Sequence, residues 1–404
     1  MPGLPLEGYR AINFGHVWAA PTLGRLLADF GAEVIKVESR RHLDGVRTYL
    51  PLLVEGKDIG VSASFLNYNS GVLGMTVDFS KPKGADLIKR LVAKSDVVIE
   101  NFPPRVLPAY GLDYQHLREV KPDIVMISLP AAGQYGPLRD VMTFGPSLGA
   151  LAGITNLAGY PEGQQPCFDH CFTDPIASAT GVFCVLAALH HRHLTGEGQF
   201  IDMAQWEAST CLLGEALMDY VMNQRVMGFQ GNLSRWMAPH EAYRCKGNDK
   251  WVSIAIKTEK EWQNFRRAIG DPPWTRDERF ADLPGRLRHQ EELDKHISEW
   301  SENHTSYEVM DILQRAGVAA APWLDEEERL ADPHLASRET YIKVDHPSVK
   351  AATIYNVPWK LSRTPGHIQR AAPLLGEHND YVFAELLGLS EEEMARLAGE
   401  KVIY

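Results

Sequence analysis

The side chain best suited to chemistry is Asp174, which precedes Pro175 at the start of a long apolar segment. A carboxylate at a helix N-terminus faces the positive end of the helix dipole, which keeps it ionised. An ionised carboxylate can attack a thioester carbonyl and form a covalent intermediate in acyl transfer. The same dipeptide is also a common helix cap, because Asp caps the amide ends and Pro suits the first turn. Sequence alone leaves both interpretations open.

Three residues near Asp174 are of metal-binding types, namely Cys167, His170 and Cys171. A structural zinc site needs four ligands, and no second pair of suitable spacing follows. We therefore expect no metal. Asp169 is a rival carboxylate, but its polar surroundings favour a solvated loop residue.

Other motifs that carry chemistry are missing. The turn at Gly196 and Gly198 follows a helix instead of opening one and lacks the Lys-Ser/Thr of a phosphate loop, so we interpret it as a helix-to-strand connection. No Gly-x-Gly-x-x-Gly follows the first strand, which argues against a nicotinamide cofactor. Serine hydrolase and zinc protease motifs are absent as well. We expect no tightly bound cofactor.

The elements that must position Asp174 alternate between apolar strands and amphipathic helices. Strands are predicted at 9–14, 33–37, 96–100 and 124–129, and helices at 21–30 and 81–93. This alternation predicts an α/β fold with an open, Rossmann-like parallel sheet and helices on both faces. Ligands of such sheets bind beyond the carboxyl ends of the strands.

The composition changes near residue 231, where Trp, Pro and charged residues become frequent. We predict a large α/β domain over 1–205, completed by 345–404, and a smaller α+β domain over 228–325. Segments 206–227 and 326–344 are then linkers. The amphipathic tail, 371–404, is expected to pack on the first domain.

Composition narrows the functional class. The 404 residues include 45% hydrophobic and 23% charged residues, with a formal net charge of -11 and no basic run. Nucleic acid and anionic membranes are therefore not expected as partners. The N-terminus lacks a signal-peptide pattern, and five sparse cysteines suit a reducing compartment, so we expect a cytoplasmic enzyme.

Several segments together resemble one family. They are residues 195–199 (TGEGQ) with Asp202, the opening segments 8–21 and 31–38, the strand 96–102, and the C-terminal segments 332–334, 345–347 and 373–378. In this combination and order the chain resembles the class III CoA-transferases, the CaiB/BaiF type. The resemblance implies an acyl-CoA and a carboxylic acid as substrates, Asp174 as the nucleophile, and an interlocked dimer of two chains threaded like linked rings.

The resemblance also implies a CoA site at the carboxyl edge of the sheet. Its expected residues are His16, Val17, Trp18, Ala19, Arg40, Arg41, Asn101, Phe102 and Arg105. Arginines there suit the phosphates of CoA. The family often has a Lys-Arg pair where this chain has Val72 and Leu73. Part of the family's contacts to CoA is therefore missing here or supplied by other residues. Gly231 and Asn232 are the counterpart of the family's oxyanion loop.

Residues 144–151 and 157–160 look most like the branch that uses succinyl-CoA with aromatic or branched acids, with benzylsuccinate CoA-transferase as the nearest analogy. That branch implies a homodimer or a hetero-oligomer with a related subunit. Three alternatives remain: an acyl-CoA racemase, for which no histidine is well placed, a non-catalytic CoA-binding subunit, and a nucleotide-dependent dehydrogenase.

Overall fold

The computed structural model describes residues 3–48, 62–160 and 171–404. Contacts divide the chain into two compact units. Unit 1 comprises Met1–Thr155, Asp169–Val226 and His334–Tyr404, and unit 2 comprises Met227–Pro333 with the described part of Asn156–Phe168. The segments 206–227 and 326–344, expected from the sequence to be linkers, carry short helices.

Unit 1 is built on six parallel strands in the order β3-β2-β1-β4-β5-β6. The strands are β1 (Arg10–Asn13), β2 (Glu33–Glu38), β3 (Leu73–Thr76), β4 (Val97–Glu100), β5 (Val125–Ser128) and β6 (Phe200–Asp202). The order reverses between β1 and β4, and such a switch point leaves a crevice at the carboxyl ends of the two strands. The expected α/β fold is confirmed, and each predicted strand lies within two residues of its expected bounds.

Helices cover both faces of this sheet, as the alternating pattern predicted. The helices of this part of the chain are α1 (Ala19–Asp29), α2 (Ala63–Asn69), α3 (Pro82–Val92), α4 (Tyr114–Val120), α5 (Gly145–Ala152), α6 (Thr173–Thr195), α7 (Gln205–Thr210) and α8 (Gly214–Asn223). One apolar core joins α1 and α6 to the sheet, and a second joins α3 and α4 to the opposite face.

Helix α6 is the one helix, within the part of the chain that the structure describes, that is long and apolar enough to cross a bilayer by length and composition. In unit 1 it packs against α1, α7 and β5.

Unit 2 has its own antiparallel sheet and core. The sheet contains β7 (His240–Arg244), β8 (Trp251–Ala255) and β9 (Ala319–Pro322), and the helices are α9 (Glu259–Ala268), α10 (Leu283–Arg288), α11 (Gln290–Ser301), α12 (Ser306–Arg315) and α13 (Glu326–Ala331). Trp262, Phe265 and Phe280 are fully buried at its centre.

The chain then continues through α14 (Pro333–Ser337), the antiparallel pair β10 (Tyr341–Val344) and β11 (Ala352–Tyr355), and α15 (Glu391–Gly399). Val382, Phe383 and Leu397 bury themselves in the unit 1 core, as expected of the amphipathic tail. Strand β3 was not predicted. Its Gly74 lies against Pro373, where a Cβ would come within 2.9 Å of the proline side chain.

Candidate active site

The loop after β1 is fastened to the end of β4. The His16 amide donates to Asn101 Oδ1 at 3.0 Å, and Asn101 Nδ2 donates back to the His16 carbonyl at 2.9 Å. Since β1 and β4 are neighbours at the switch point, one asparagine fixes both sides of the crevice.

Val17 holds the same loop in an unusual conformation. Its φ of 68° lies in the left-handed region, which costs a β-branched residue about 1–3 kcal/mol. The Val17 amide donates to Asp44 Oδ1 at 2.9 Å, and Lys36 Nζ donates to Asp44 Oδ2 at 2.7 Å and to the Gly15 carbonyl at 2.8 Å. The Lys36 and Asp44 side chains are both fully buried, and this ion pair stabilises the conformation of the loop after β1.

The buried Lys36–Asp44 pair shifts the pKa of Asp44 and of the neighbouring His16. For Asp44, burial, the largest single effect, would raise the pKa of its carboxyl, but the Lys36 charge, the nearby His16 and the hydrogen bonds from Lys36 and the Val17 amide together lower the pKa. Burial and then the Lys36 charge lower the pKa of His16 to about 4, so its imidazole is neutral at neutral pH.

Asp174 is the second residue of α6, one position inside the helix instead of capping it. Burial raises the pKa of Asp174 to about 6, against the lowering effect of the backbone amides of Ala19 and of Asp174 itself. Ala19 is the first residue of α1. The carboxylate therefore sits where the N-terminal ends of two helices meet, and both ends favour negative charge.

Ser178 ties these two helix ends together. Its hydroxyl lies 2.8 Å from the Ala19 carbonyl and 2.8 Å from the Asp174 carbonyl, and its side chain is buried. The first turn of α6 is thereby joined to the start of α1, on the element that carries Asp174.

A cavity of about 710 Å³ opens in front of Asp174. We call its inner wall the loop residues His16, Val17 and Trp18 with Asn101 and Phe102, and its outer wall the segment 141–148. Tyr68 of α2 also lines the cavity and stacks on Trp18, with ring centroids 4.8 Å apart and planes 13° apart. A mainly apolar cavity with one ionisable carboxylate fits covalent chemistry on an acyl substrate.

Comparison with known proteins identifies the family. Residues 6–379 match the profile of CoA-transferase family III.

The chain belongs to CoA-transferase family III.

The succinyl-CoA–D-citramalate CoA-transferase of Chloroflexus aurantiacus is 33% identical over 402 residues, covering 100% of this chain and 99% of that protein. The succinate–glutarate CoA-transferase of Agrobacterium fabrum is 31% identical, covering 95% of this chain and 96% of that protein. The crystal structure of a CaiB/BaiF family protein from Brucella suis has a TM-score of 0.86 at 29% identity, covering 95% of this chain and 100% of that one. The chain is thus a CoA-transferase that acts on acyl-CoA and a carboxylic acid.

The arginines expected to hold the phosphates of CoA are not cavity residues. Arg40 and Arg41 are exposed after β2, and the Arg40 guanidinium lies 6.0 Å from the Tyr404 ring. Arg105 pairs with Asp140 at 3.3 Å, with both side chains more than half exposed. Where the family often has Lys-Arg, Val72 and Leu73 are buried in the core. The role of these arginines in CoA binding stays a prediction.

Gly231 and Asn232 lie in unit 2. Gly231 has a φ of 59°, and its amide donates to the Gly159 carbonyl at 2.8 Å. The Asn232 side-chain amide donates to Glu241 at 2.5 Å. Those donors are already engaged, and the expected oxyanion role stays a prediction.

Within the described ranges no group of three or more His, Cys, Asp or Glu residues could hold a metal ion. Asp169, Cys167 and His170 lie outside the described residues.

Sequence analysis missed the supports of the site. Lys36 carried a signal, since it is a charged residue inside the apolar strand β2, and such a residue needs a buried partner. Tyr68 and the outer wall gave no comparable signal. The sequence offered no histidine well placed for an acyl-CoA racemase, whereas in the structure His16 lines the same cavity as Asp174.

Proposed function

We propose that this transferase moves CoA through Asp174 by a covalent mechanism. The observation that carries the proposal is the Asp174 carboxylate, partly buried between two helix N-termini and facing the cavity at the switch point of the sheet. With a pKa of about 6, about nine-tenths of it is ionised at pH 7. It is nucleophilic without an external base.

In the first half-reaction, an Asp174 carboxylate oxygen attacks the carbonyl carbon of the donor thioester. The carbon–sulfur bond breaks, CoA leaves as a thiolate, and Asp174 and the acyl group share a mixed anhydride. The thiolate then attacks the Asp174 carbonyl carbon. The donor acid departs as a carboxylate, and an aspartyl-CoA thioester remains.

The second half-reaction runs in reverse with the acceptor acid. Its carboxylate attacks the aspartyl thioester and expels the CoA thiolate, which gives a new mixed anhydride. The thiolate attacks the acceptor's acyl carbon, and Asp174 leaves as a carboxylate. No net proton is needed, which agrees with the neutral His16 and Tyr68 side chains that line the cavity at pH 7.

The CoA moiety is proposed to follow the inner wall to the carboxyl edge of the sheet. Arg40, Arg41 and Arg105 would meet its phosphates there, since guanidinium groups bind phosphate through paired hydrogen bonds. The oxyanion role of Gly231 and Asn232 rests on the family resemblance alone.

The finer proposal concerns the branch. Residues 144–151 resemble the branch that handles aromatic or branched acids, of which benzylsuccinate CoA-transferase is the analogy. Supporting it, the side chains of Trp18, Tyr68, Phe102 and Phe144 line the cavity. Succinyl-CoA is the donor named for several relatives and is the first donor to test.

We also propose that the active form is a dimer of this chain. Helix α8 has no buried residue, and Leu217, Val221 and Met222 on it are 59–71% exposed. A second copy would cover this surface, which is unusual for a monomer. Relatives from Chloroflexus aurantiacus are named as α and β subunits, so a related partner is the alternative. Light scattering of the pure protein distinguishes monomer from dimer.

The decisive experiment is intact-mass analysis after mixing with succinyl-CoA and other acyl-CoA esters, trapping with hydroxylamine or borohydride. An adduct at Asp174 that is absent from Asp174→Ala supports the mechanism. Exchange of the α-proton with deuterated solvent, without an adduct, would instead support the racemase. CoA binding with neither result would support a non-catalytic subunit.

A further inference from the structure

A second cavity in unit 1, of about 360 Å³, lies between α1 and the segment that follows β11. Thr22, Arg25 and Leu26 line it from one face of α1, and the segments 338–340 and 355–360 line the remainder. It shares no lining residue with the Asp174 cavity. Arg25 lies about two helical turns beyond Trp18, which corresponds to about 10 Å along the helix axis. The two cavities are therefore separate sites.

Arg25 is the buried cation of this second cavity, and the fold holds it in place. Its guanidinium donates to the Asn67 carbonyl at 2.5 Å and to the Tyr355 carbonyl, and its Nε lies 3.5 Å from the Asp29 carboxylate. Asp29 thus compensates the charge of Arg25. The Thr22 hydroxyl is buried and has no hydrogen-bond partner among the described residues, so a polar atom of a ligand would satisfy it.

Two further cations, Arg338 and Lys360, line the same cavity. Arg338 is exposed and forms no ion pair with any residue that the structure describes. Lys360 Nζ lies 3.7 Å from Glu339, with side chains that are 39% and 76% exposed. Such an exposed pair is weak, so Lys360 can exchange it for another anion. The lining thus has positive charge to spare in a chain whose formal net charge is -11.

Apolar side chains complete the lining. Leu26, Val357 and Pro358 contribute aliphatic surface, and Tyr355 contributes an aromatic ring that is 49% exposed. A ligand that covers these groups gains free energy by removing apolar surface from water. The volume is near the lower end of the range for ligand pockets, about 300–1,000 Å³, which indicates a small ligand.

We propose that this second cavity binds a small organic anion. Its carboxylate or phosphate group would pair with Arg338 and Lys360, and its apolar body would lie on Leu26 and Val357. A guanidinium binds either anionic group through two parallel hydrogen bonds. Because both cations are accessible to water, we expect a dissociation constant of about 0.1–1 mM. The inference does not depend on the proposed role of Asp174.

Calorimetric titration of the whole protein with three probes tests the inference. Phenylacetate and phenyl phosphate present an aromatic ring with a carboxylate or a phosphate, and phenylacetamide is the neutral analogue of phenylacetate. We expect the anions to bind at least about fivefold more tightly than phenylacetamide, and the tighter of the two identifies the anionic group that the site prefers. Equal affinity for all three probes would overturn the inference.

Charge-removal variants locate the bound anion. Arg338→Gln and Lys360→Gln should each weaken binding of the preferred anion about fivefold or more, and should change phenylacetamide binding less than about twofold. The matched control is Arg363→Gln, an exposed arginine that does not line the cavity, which should change neither. Formation of the Asp174 adduct should be the same in all three variants, because none of these residues lines that cavity. Unaltered anion affinity in both pocket variants would place the anion elsewhere and overturn the inference.

Two further measurements on Arg338→Gln exclude other occupants. If a second copy of the chain placed a carboxylate against Arg338, the variant would shift from dimer towards monomer in light scattering. If the cavity held part of CoA, the variant would bind CoA more weakly. We expect an unchanged mass and an unchanged CoA affinity, and a change in either would overturn the inference.

Discussion

The two walls of the cavity are built in different ways. The inner wall is stabilised by buried polar contacts. Asn101 is hydrogen-bonded to the backbone of His16, and Asp44, paired with Lys36, accepts a hydrogen bond from the amide of Val17, whose φ is positive. In the outer wall Leu148 is buried, but no buried ion pair of the described residues supports the segment, and Met142 and Phe144 are 76% and 68% exposed. A fixed inner wall keeps the reacting carboxylate in place, whereas a loosely packed outer wall can change the acyl group that fits without unfolding the protein.

The largest expected effect is on stability, from breaking the support of the inner wall. Asp44→Asn leaves the Lys36 ammonium buried without a counter-charge, which should lower the free energy of unfolding by about 3–5 kcal/mol. Urea unfolding followed by circular dichroism measures it.

Two variants control for this result. Lys36→Met combined with Asp44→Asn should lose less than the sum of the single changes, because the charges are removed together. Glu400→Gln removes an ion pair with Lys83 whose side chains are 54% and 38% exposed, and we expect no measurable change. An equal response of Asp44→Asn and Glu400→Gln would contradict the contrast between buried and exposed pairs.

The second effect is on the pH dependence of catalysis. Because burial raises the pKa of Asp174 to about 6, protonation below that pH removes the nucleophile. The kcat/KM for CoA transfer should be flat above pH 7 and fall about tenfold per pH unit below pH 5. Binding of the CoA ester over the same range distinguishes this from titration of the ligand.

Glu100 is a second buried carboxyl near the cavity to exclude, since burial raises its pKa to about 7. It accepts from the Phe102 amide and is hydrogen-bonded to Ser128. Glu100→Gln preserves the shape, so its pH profile should keep the inflection near pH 6. Loss of the inflection in this variant would assign it to Glu100 and not to Asp174.

Much of this arrangement could be predicted from the sequence. The strands of unit 1 are short apolar runs between helical segments, and parallel strands bring their carboxyl ends to one edge, which placed His16 and Asn101 together. Helix propensity and Pro175 placed Asp174 at a helix start.

The remainder depends on tertiary packing that no local pattern encodes. The Lys36–Asp44 pair joins a central strand to a loop, and the Trp18–Tyr68 stack requires α2 to lie beside the start of α1. Strand β3 was missed because Gly74 weakens its strand pattern. A glycine is needed at this position because the Pro373 side chain lies too close to leave room for a Cβ.

A smaller effect is expected where the inner wall meets α6. Ser178→Ala removes the hydroxyl that joins the Ala19 carbonyl to the first turn of α6, at a cost of about 1 kcal/mol. Ser209→Ala is the matched control, because its buried hydroxyl bonds to Gln205 within its own helix. If Ser178 positions Asp174, kcat should fall several-fold in Ser178→Ala with KM unchanged, and Ser209→Ala should leave both alone. Equal kinetics in the two variants would reduce Ser178 to a packing role.

Among changes in the cavity walls, the smallest effect on stability is expected in the outer wall. Phe144→Ala should change the free energy of unfolding by less than about 0.5 kcal/mol, because the ring is mostly exposed. It should nevertheless raise KM for a bulky acyl-CoA about tenfold with kcat unchanged, since the ring contributes binding alone. Phe102→Ala on the inner wall is the comparison: that ring packs on His16 at 5.5 Å and against the sheet core, so its loss should lower stability. A Phe144→Ala variant as destabilised as Phe102→Ala would show that the outer wall is as tightly packed as the inner one, and the division of roles between them would fail.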